Sequence, residues 1–392
     1  MIETSATATQ FLGMSTTAFL RDYWQQKPLL VRNAFAGFAS PLGADDLGGL
    51  ACEEYALSRL ITHDPALDRW NLRSGPFAET DFAALPASHW TLLVQDVDKW
   101  DADVAALLGH FDFLPSWRVD DVMVSYAEDG GSVGAHVDQY DVFLIQGLGR
   151  RRWQISTDAE APMAFREDVE LKLLREFKPT HDWLLEPGDM LYLPPGVAHH
   201  GVAEGDCLTF SVGMRAPAVA EMITDFAGFL AERMAEEWRY ADAGIAPARL
   251  AGEIDDGALQ RIEHTLRDAL ALDGTTLRAW FGSFITRYRA AHEAVPRSKP
   301  IGKPEFARRL EAGAGMAFNP WTRWAWSKAA RGATLFVAGE AHACSRNLAQ
   351  RICTRAALQA HELAAMDDAS LELLRTLTNA GHLALSRTRS RS

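Results

Sequence analysis

The sequence predicts an α+β protein in which an all-β sandwich or barrel comes first, a helical bundle follows, and a winged helix comes last. Three observations predict this. After Trp90, short runs of β-branched and aromatic residues are punctuated by Gly, Pro and Asp. After Pro217, apolar residues recur at three- and four-residue steps. Beyond a loop carrying prolines 296, 300 and 304, helical patterns surround one hairpin. The 392 residues exceed the ~100–200 of a single domain. A hydrophobic share of 48%, with 19 Phe and 12 Trp, is enough to give each unit a core. The pattern changes set domain limits at 1–217, 218–295 and 296–392.

Taken in order, FLGMSTTAFLRDYWQQKPLLVRNAF (11–35) predicts a helix over Thr16–Trp24, a turn at Lys27-Pro28 and a short strand, LLVR. Asp45–Cys52 predicts a short helix, although Gly48-Gly49 weakens it. The strand runs are TLLVQDV, DVMVSYA, AHVDQYDVFLIQG, RRWQIS, DMLYLP and CLTFSVGMRA. Asp129-Gly130-Gly131, Gly147-Leu148-Gly149 and Pro187-Gly188-Asp189 are the expected reversals between them. Three helical stripes follow: Ile223, Phe226, Leu230 and Met234; Leu259, Ile262, Leu266 and Leu270; Leu277, Phe281, Phe284 and Tyr288. The last segment predicts a helix near 304–312, a hairpin in TLFVAGEAHACS turning at Gly339-Glu340, helices over 346–364 and 369–380, and an end strand, HLAL. The only low-complexity tract is SRTRSRS at 386–392.

Composition excludes several classes. Cys52, Cys207, Cys344 and Cys353 form no CxxC pair, so neither a zinc knuckle nor a disulfide framework is legible. The first twenty residues have no basic start and no continuous apolar core, and no apolar run approaches the ~20 residues that span a bilayer. A cytoplasmic protein is therefore expected. The net charge of −13 is uneven: from Pro296 on there are 15 Lys and Arg against 7 Asp and Glu, leaving 24 against 45 in residues 1–295. An acidic body of this kind attracts a basic partner at long range, although acidic surfaces also serve solubility alone.

The chemistry is carried by GAHVDQYDVFLIQGLGRRRW and, some sixty residues on, EPGDMLYLPPGVAHHG. Residues i and i+2 of a strand share a face, so His136 and Asp138 offer an imidazole and a carboxylate side by side. A third ligand, His199 or His200, arrives at the end of a distant strand behind the rigid Pro194-Pro195-Gly196. Two His and one carboxylate on a triangular face hold Fe(II) and leave positions open for co-substrate and O2. An HxD pair alone is more simply a buried His bonded to its neighbour. Its union with the Gly-Asp…Pro-Pro-Gly segment inside an all-β region favours the metal.

These segments, with FLRDYWQQKPLLVRNAF and SVGMRAP, resemble the JmjC-type cupin 2-oxoglutarate oxygenases over roughly residues 11–217. The resemblance is closer still to their bacterial ribosomal-oxygenase branch, whose members hydroxylate an arginine of a large-subunit ribosomal protein. It implies a double-stranded β-helix (jelly-roll) catalytic domain, a helical dimerisation region and a winged helix. The family places its last ligand three residues after the Pro-Gly pair, which selects His199 to join His136 and Asp138 on Fe(II). 2-Oxoglutarate and O2 are the implied co-substrates, giving succinate, CO2 and a hydroxylated product. Arg151 stands where relatives carry the basic residue that binds the far carboxylate of 2-oxoglutarate, and Ser125 is the matching hydroxyl. By alternation Arg150 and Arg152 turn to the opposite face of the strand. Implied partners are a basic ribosomal protein and a second copy of the chain, with no membrane.

Asp120, Asp121, Glu128, Asp129 and Asp141 are candidates for an acidic wall around a substrate arginine; Gln139, Tyr140 and Arg215 flank the motif. His200 departs from the acidic residue expected after the iron ligand in that branch. Two other readings compete: an oxygenase acting on another protein or a small molecule, and a metal-bound regulator whose basic winged helix binds nucleic acid. Against the regulator, the 346–364 stretch carries only Arg346, Arg351 and Arg355.

Overall fold

The structure is a computed structural model describing residues 2–270, 273–287 and 294–386. It contains two compact units that meet in sequence at Ala216 and Pro217.

The first unit contains strands β1 (Glu3–Ser5), β2 (Leu29–Arg32), β3 (Ser58–Asp64), β4 (Arg69–Ser74), β5 (Trp90–Val94), β6 (Val119–Ala127), β7 (His136–Val137), β8 (Val142–Ser156), β9 (His181–Leu185), β10 (Met190–Leu193) and β11 (Ala198–Met214). Its helices are α1 (Thr16–Asp22), α2 (Ala44–Ala51), α3 (Glu79–Ala83), α4 (Val97–Trp100) and α5 (Ala102–Leu107). Ser15 caps α1 by accepting the Ala18 N–H, and α2 forms despite its glycine pair. The strands run β1-β2-β10-β8-β11-β6-β5-β3-β4, with β7 against β11 and β9 against β8.

The long antiparallel pair β8 and β11 organises this unit. The first half of β8 pairs with β10 and its second half with β9; β11 pairs first with β7 and later with β6. One face of the sheet closes over an aromatic core in which Phe143 lies 4.7 Å from Phe111 and 4.9 Å from Tyr192 between ring centroids. A second cluster, Val142, Leu144, Trp153 and Ile155 among others, occupies the opposite face of β8.

Two expectations need correction here, and a third point is an addition. Gly147-Leu148-Gly149 does not reverse the chain, because β8 runs through it as a bulge. Two steps of β8, from Leu148 to Gln146, answer the single step from Leu208 to Thr209 on β11. Glycine is required because a Cβ at 147 would lie 2.5 Å from the Phe210 ring, and one at 149, where φ is +56°, would lie 1.9 Å from the Asp206 carbonyl. Second, AHVDQYDVFLIQG is not one strand: Asp138–Asp141 interrupts it between β7 and β8. Third, the hairpin β3–β4 was not anticipated, although SRLITHD and RWNLRS flank a turn at Asp64–Asp68.

The second unit contains α6 (Val219–Ala231), α7 (Asp256–Ala269), α8 (Gly274–Thr286), α9 (Lys303–Glu311), β12 (Met316–Phe318), β13 (Trp324–Lys328), β14 (Ala333–Val337), β15 (Glu340–Cys344), α10 (Arg346–Cys353), α11 (Ala360–Ala364), α12 (Asp368–Asn379) and β16 (Leu383–Leu385). α8 buries Trp280 and Phe284, and Gly282 admits Phe336 of β14 so closely that a Cβ would sit 2.3 Å from its ring. β13-β14-β15 form one sheet and β12-β16 another. The hairpin turns at Ala338-Gly339, one residue before the expected pair, where both residues have positive φ. The helix predicted over 346–364 splits into α10 and α11: Arg355 has φ +56°, and Leu358 exchanges backbone bonds with Met316. Tyr288, the last position of the third helical stripe, lies outside the described residues. No described helix is long and apolar enough to cross a membrane.

Candidate metal centre and its cavity

His136 and His199 are cross-strand partners on β7 and β11, and Asp138 follows two residues after His136. Among the described residues, these three alone form a group able to hold a metal ion, with one donor atom from each lying within 4.8 Å of the others. The Asp138 Oδ2 is 3.8 Å from His136 Nε2 and 3.6 Å from His199 Nε2. His136 Nδ1 is 3.0 Å from the Gly134 carbonyl and His199 Nδ1 is 2.9 Å from the Val197 carbonyl. A carbonyl only accepts, so each Nδ1 carries the proton and each Nε2 presents a lone pair to the common point.

Electrostatics agree with that role. Burial, then the neighbouring His136, hold His199 well below the usual imidazole range, so it stays neutral as a ligand must. Burial raises Asp138, opposed by His136, a hydrogen bond from Tyr140 and the charge of Arg59. His200 turns to the other face of β11, does not line the cavity, and lies 6.1 Å from the Phe177 ring between centroids. Burial lowers it to about 4. The structure therefore brings His199, not His200, to the other two donors.

The three open into a cavity of about 580 Å³. Arg151 and Ser125 line it as well, both buried, with Arg151 Nη1 donating to Ser125 Oγ at 3.2 Å. The bulge puts Arg151 there. Before it, the even positions Val142 and Leu144 face the cavity; after it, the odd positions Arg151 and Trp153 do. One extra residue in the strand shifts the alternation by one. Arg152 points outward to Glu204 at 2.7 Å and Asp182 at 2.8 Å. The Nε and Nη2 of Arg151 are buried without any hydrogen-bond partner. A buried guanidinium with two free donors is costly by itself and fits a carboxylate presented to it.

Of the acidic candidates, Asp120 and Asp121 line the cavity. Burial, then the charge of Asp96, push Asp121 up to about 7, although its carboxylate accepts the Asp96 N–H at 3.0 Å. The others lie elsewhere: Glu128 accepts from Tyr126, Asp129 from the Gly205 N–H, and Asp141 is wholly enclosed. Tyr140 lines the cavity; Gln139 and Arg215 do not. Arg59, Gln95, Glu170 and Lys172 also line it and were not anticipated. Arg59 sits on the unread hairpin, whose alternation around its Asp-bounded turn was the available signal.

Comparison with known proteins places the JmjC domain family on residues 106–222 and the ROXA-like winged helix family on 266–384. The chain is 35% identical over 302 residues to ribosomal protein uL16 3-hydroxylase of Escherichia coli K12, covering 77% of this chain and 79% of that one. It is 42% identical over 206 residues to a probable ribosomal oxygenase of Haemophilus influenzae, covering 52% and 50%. Among solved structures, an Escherichia coli ribosomal oxygenase in complex with cobalt and 2-oxoglutarate superposes with a TM-score of 0.82 at 31% identity, covering 96% of this chain and 99% of that one.

Proposed function

The chain belongs to the JmjC ribosomal oxygenases, and on that premise we propose that it is an Fe(II)- and 2-oxoglutarate-dependent hydroxylase of a ribosomal protein, with an arginine as the target side chain. One observation carries the reading: the cavity that gathers His136, Asp138 and His199 also holds the buried Arg151 with two unsatisfied nitrogens. His136, Asp138 and His199 would hold the iron. When bound, the iron supplies the oxidising chemistry that couples conversion of 2-oxoglutarate and O2 into succinate and CO2 to C–H hydroxylation. Arg151, supported by Ser125, receives the far carboxylate of 2-oxoglutarate and so orients its oxo-acid end toward the triad. Val142, Leu144, Trp153 and Leu173 give that part of the cavity an apolar wall that keeps water out.

The choice of arginine is supported by Asp120 and Asp121, two carboxylates on the same cavity that favour a cationic side chain. The acidic balance of residues 1–295 favours a basic protein substrate by attraction at longer range. Self-association through the helical region is part of the same proposal. α6 and α7 leave Ile223 63%, Leu259 56% and Leu266 55% exposed, a stripe suited to burial against a second copy.

Anaerobic reconstitution with Fe(II) and 2-oxoglutarate, then admission of air with ribosomal-protein peptides, tests the proposal. The expected result is succinate together with a 16-dalton gain on an arginine, seen by mass spectrometry as the mass of one oxygen atom. Succinate without a modified arginine overturns the substrate assignment, and neither product overturns the enzyme.

A further inference from the structure

We infer that Asp141 is a positioning residue for the metal centre: its buried carboxylate ties the irregular segment bearing Asp138 to the strand that leads to His199. The inference rests on the metal-centre reading above. Asp138–Asp141 has no strand pairing of its own, so ladder hydrogen bonds do not fix where the Asp138 carboxylate points. Besides a backbone bond from the Met214 N–H to the Asp141 carbonyl at 2.9 Å, side chains hold the segment. Asp141 is completely buried; its Oδ1 accepts the Tyr192 hydroxyl at 2.7 Å, and its Oδ2 accepts Gln25 Nε2 at 2.9 Å and Arg118 Nη2 at 3.1 Å.

Each partner comes from a different part of the chain. Gln25 follows α1, and its backbone N–H also donates to the Tyr192 hydroxyl at 2.8 Å. Arg118 precedes β6 and lies over the Trp24 ring at 5.5 Å. Tyr192 is the last but one residue of β10, just before the Pro-Pro-Gly turn that delivers His199. That turn is bound to the ligand segment a second time, because the Gly196 N–H donates to the Asp138 carbonyl at 2.8 Å. Asp141 and Tyr192 therefore form one strut and Gly196 and Asp138 another, bracing the two ligand-bearing segments against each other. A carboxylate this buried is tolerable only with its acceptors filled and a cation beside it, and Arg118 meets the second need. Outer-shell groups that hold ligands in place commonly change metal affinity by about 10–100-fold when altered.

The test is titration of the full-length protein with cobalt(II), followed by its visible absorption, alongside thermal unfolding of the metal-free protein. Wild-type protein that takes up no cobalt at the triad sinks the metal-centre reading itself, before any variant is made. Given wild-type binding, Tyr192→Phe, which keeps the ring and removes the hydroxyl, and Asp141→Asn are expected to weaken cobalt binding about tenfold or more and to shift the cobalt bands. If Tyr192→Phe binds cobalt with unchanged affinity and spectrum, Asp141 is a fold anchor only and the inference falls, whether or not Asp141→Asn folds. Gln25→Leu gives an independent reading of the same carboxylate and should weaken binding in the same direction.

Discussion

His136 and His199 stand directly opposite each other across β7 and β11, with ring centroids 4.2 Å apart. One strand register thus sets two of the three donors, and a slip by one residue would turn one of them to the wrong face. Asp138 completes the set from outside the ladder. Its charge is held against burial, so Asp138→Ala is expected to leave the metal-free protein at least as stable as wild type. The same change should abolish metal-dependent succinate formation and cobalt uptake. Full turnover in that variant would remove the triad assignment.

Arg151 gives a different signature. Its free Nε and Nη2 lack partners, so Arg151→Ala should raise the apparent KM for 2-oxoglutarate about 10–100-fold, the loss expected for charge-assisted hydrogen bonds to a carboxylate. Cobalt affinity measured without 2-oxoglutarate should stay at the wild-type value. Arg151→Lys should recover only part of the loss, because an ammonium cannot bind both oxygens in a fork. An unchanged KM in Arg151→Ala would put the cation elsewhere in the cavity, with Arg59 and Lys172 the next to replace.

The contrast between these sites explains what was legible in the sequence. A spacing of two and a rigid turn are local patterns that point to His136, Asp138 and His199, although Asp138 lies just past β7 and not on a shared strand face; between His199 and His200 the face of β11 decides. Arg151 is singled out by the family resemblance, and strict alternation from Val142 and Leu144 would turn it away from the cavity; the bulge that brings it back is written in the sequence only as Gly147-Leu148-Gly149, which also suits a reversal. Gly-x-Gly signals a positive φ or a close approach and does not say which, because the deciding neighbours, Asp206 and Phe210, are about sixty residues away. The β3–β4 hairpin went unread because RWNLRS is polar and partly exposed, and with it went Arg59. In the second unit, α10 and α11 share a continuous helical pattern; they are divided by a tertiary bond between Leu358 and Met316 that local periodicity cannot reveal.

The raised value of Asp121 predicts a pH dependence for the proposed reaction. Its folded-state value of about 7 lies above the ordinary carboxylate value, so the folded protein favours the neutral form. This group's contribution to stability is therefore complete below about pH 4 and is lost as pH rises through about 7. A cationic substrate reverses the preference by stabilising the ionised form. Hence kcat/KM for an arginine-bearing peptide should rise through about pH 7, and substrate binding should release protons. Asp121→Asn should flatten that limb and lose less stability than wild type between about pH 4 and pH 8. A profile that keeps its rise in Asp121→Asn would mean that another group titrates there.

The bulge itself can be tested by comparing two glycines that share a positive φ and differ in space. Gly149 has φ +56° and would place a Cβ 1.9 Å from the Asp206 carbonyl; Gly205 has φ +73° and nothing within 4 Å of a Cβ. Alanine at 205 should cost only the conformational penalty, about 1 kcal/mol. Alanine at 149 must also push the two strands apart, so about 2 kcal/mol or more is expected. The displacement would fall two residues before Arg151, so Gly149→Ala should also raise the KM for 2-oxoglutarate in protein that is still folded, while Gly205→Ala should leave it unchanged. Thermal melts and 2-oxoglutarate titrations of both variants decide the matter. Equal melting points and equal KM values would mean that β8 tolerates a side chain at 149, and that the glycine is not what turns Arg151 into the cavity.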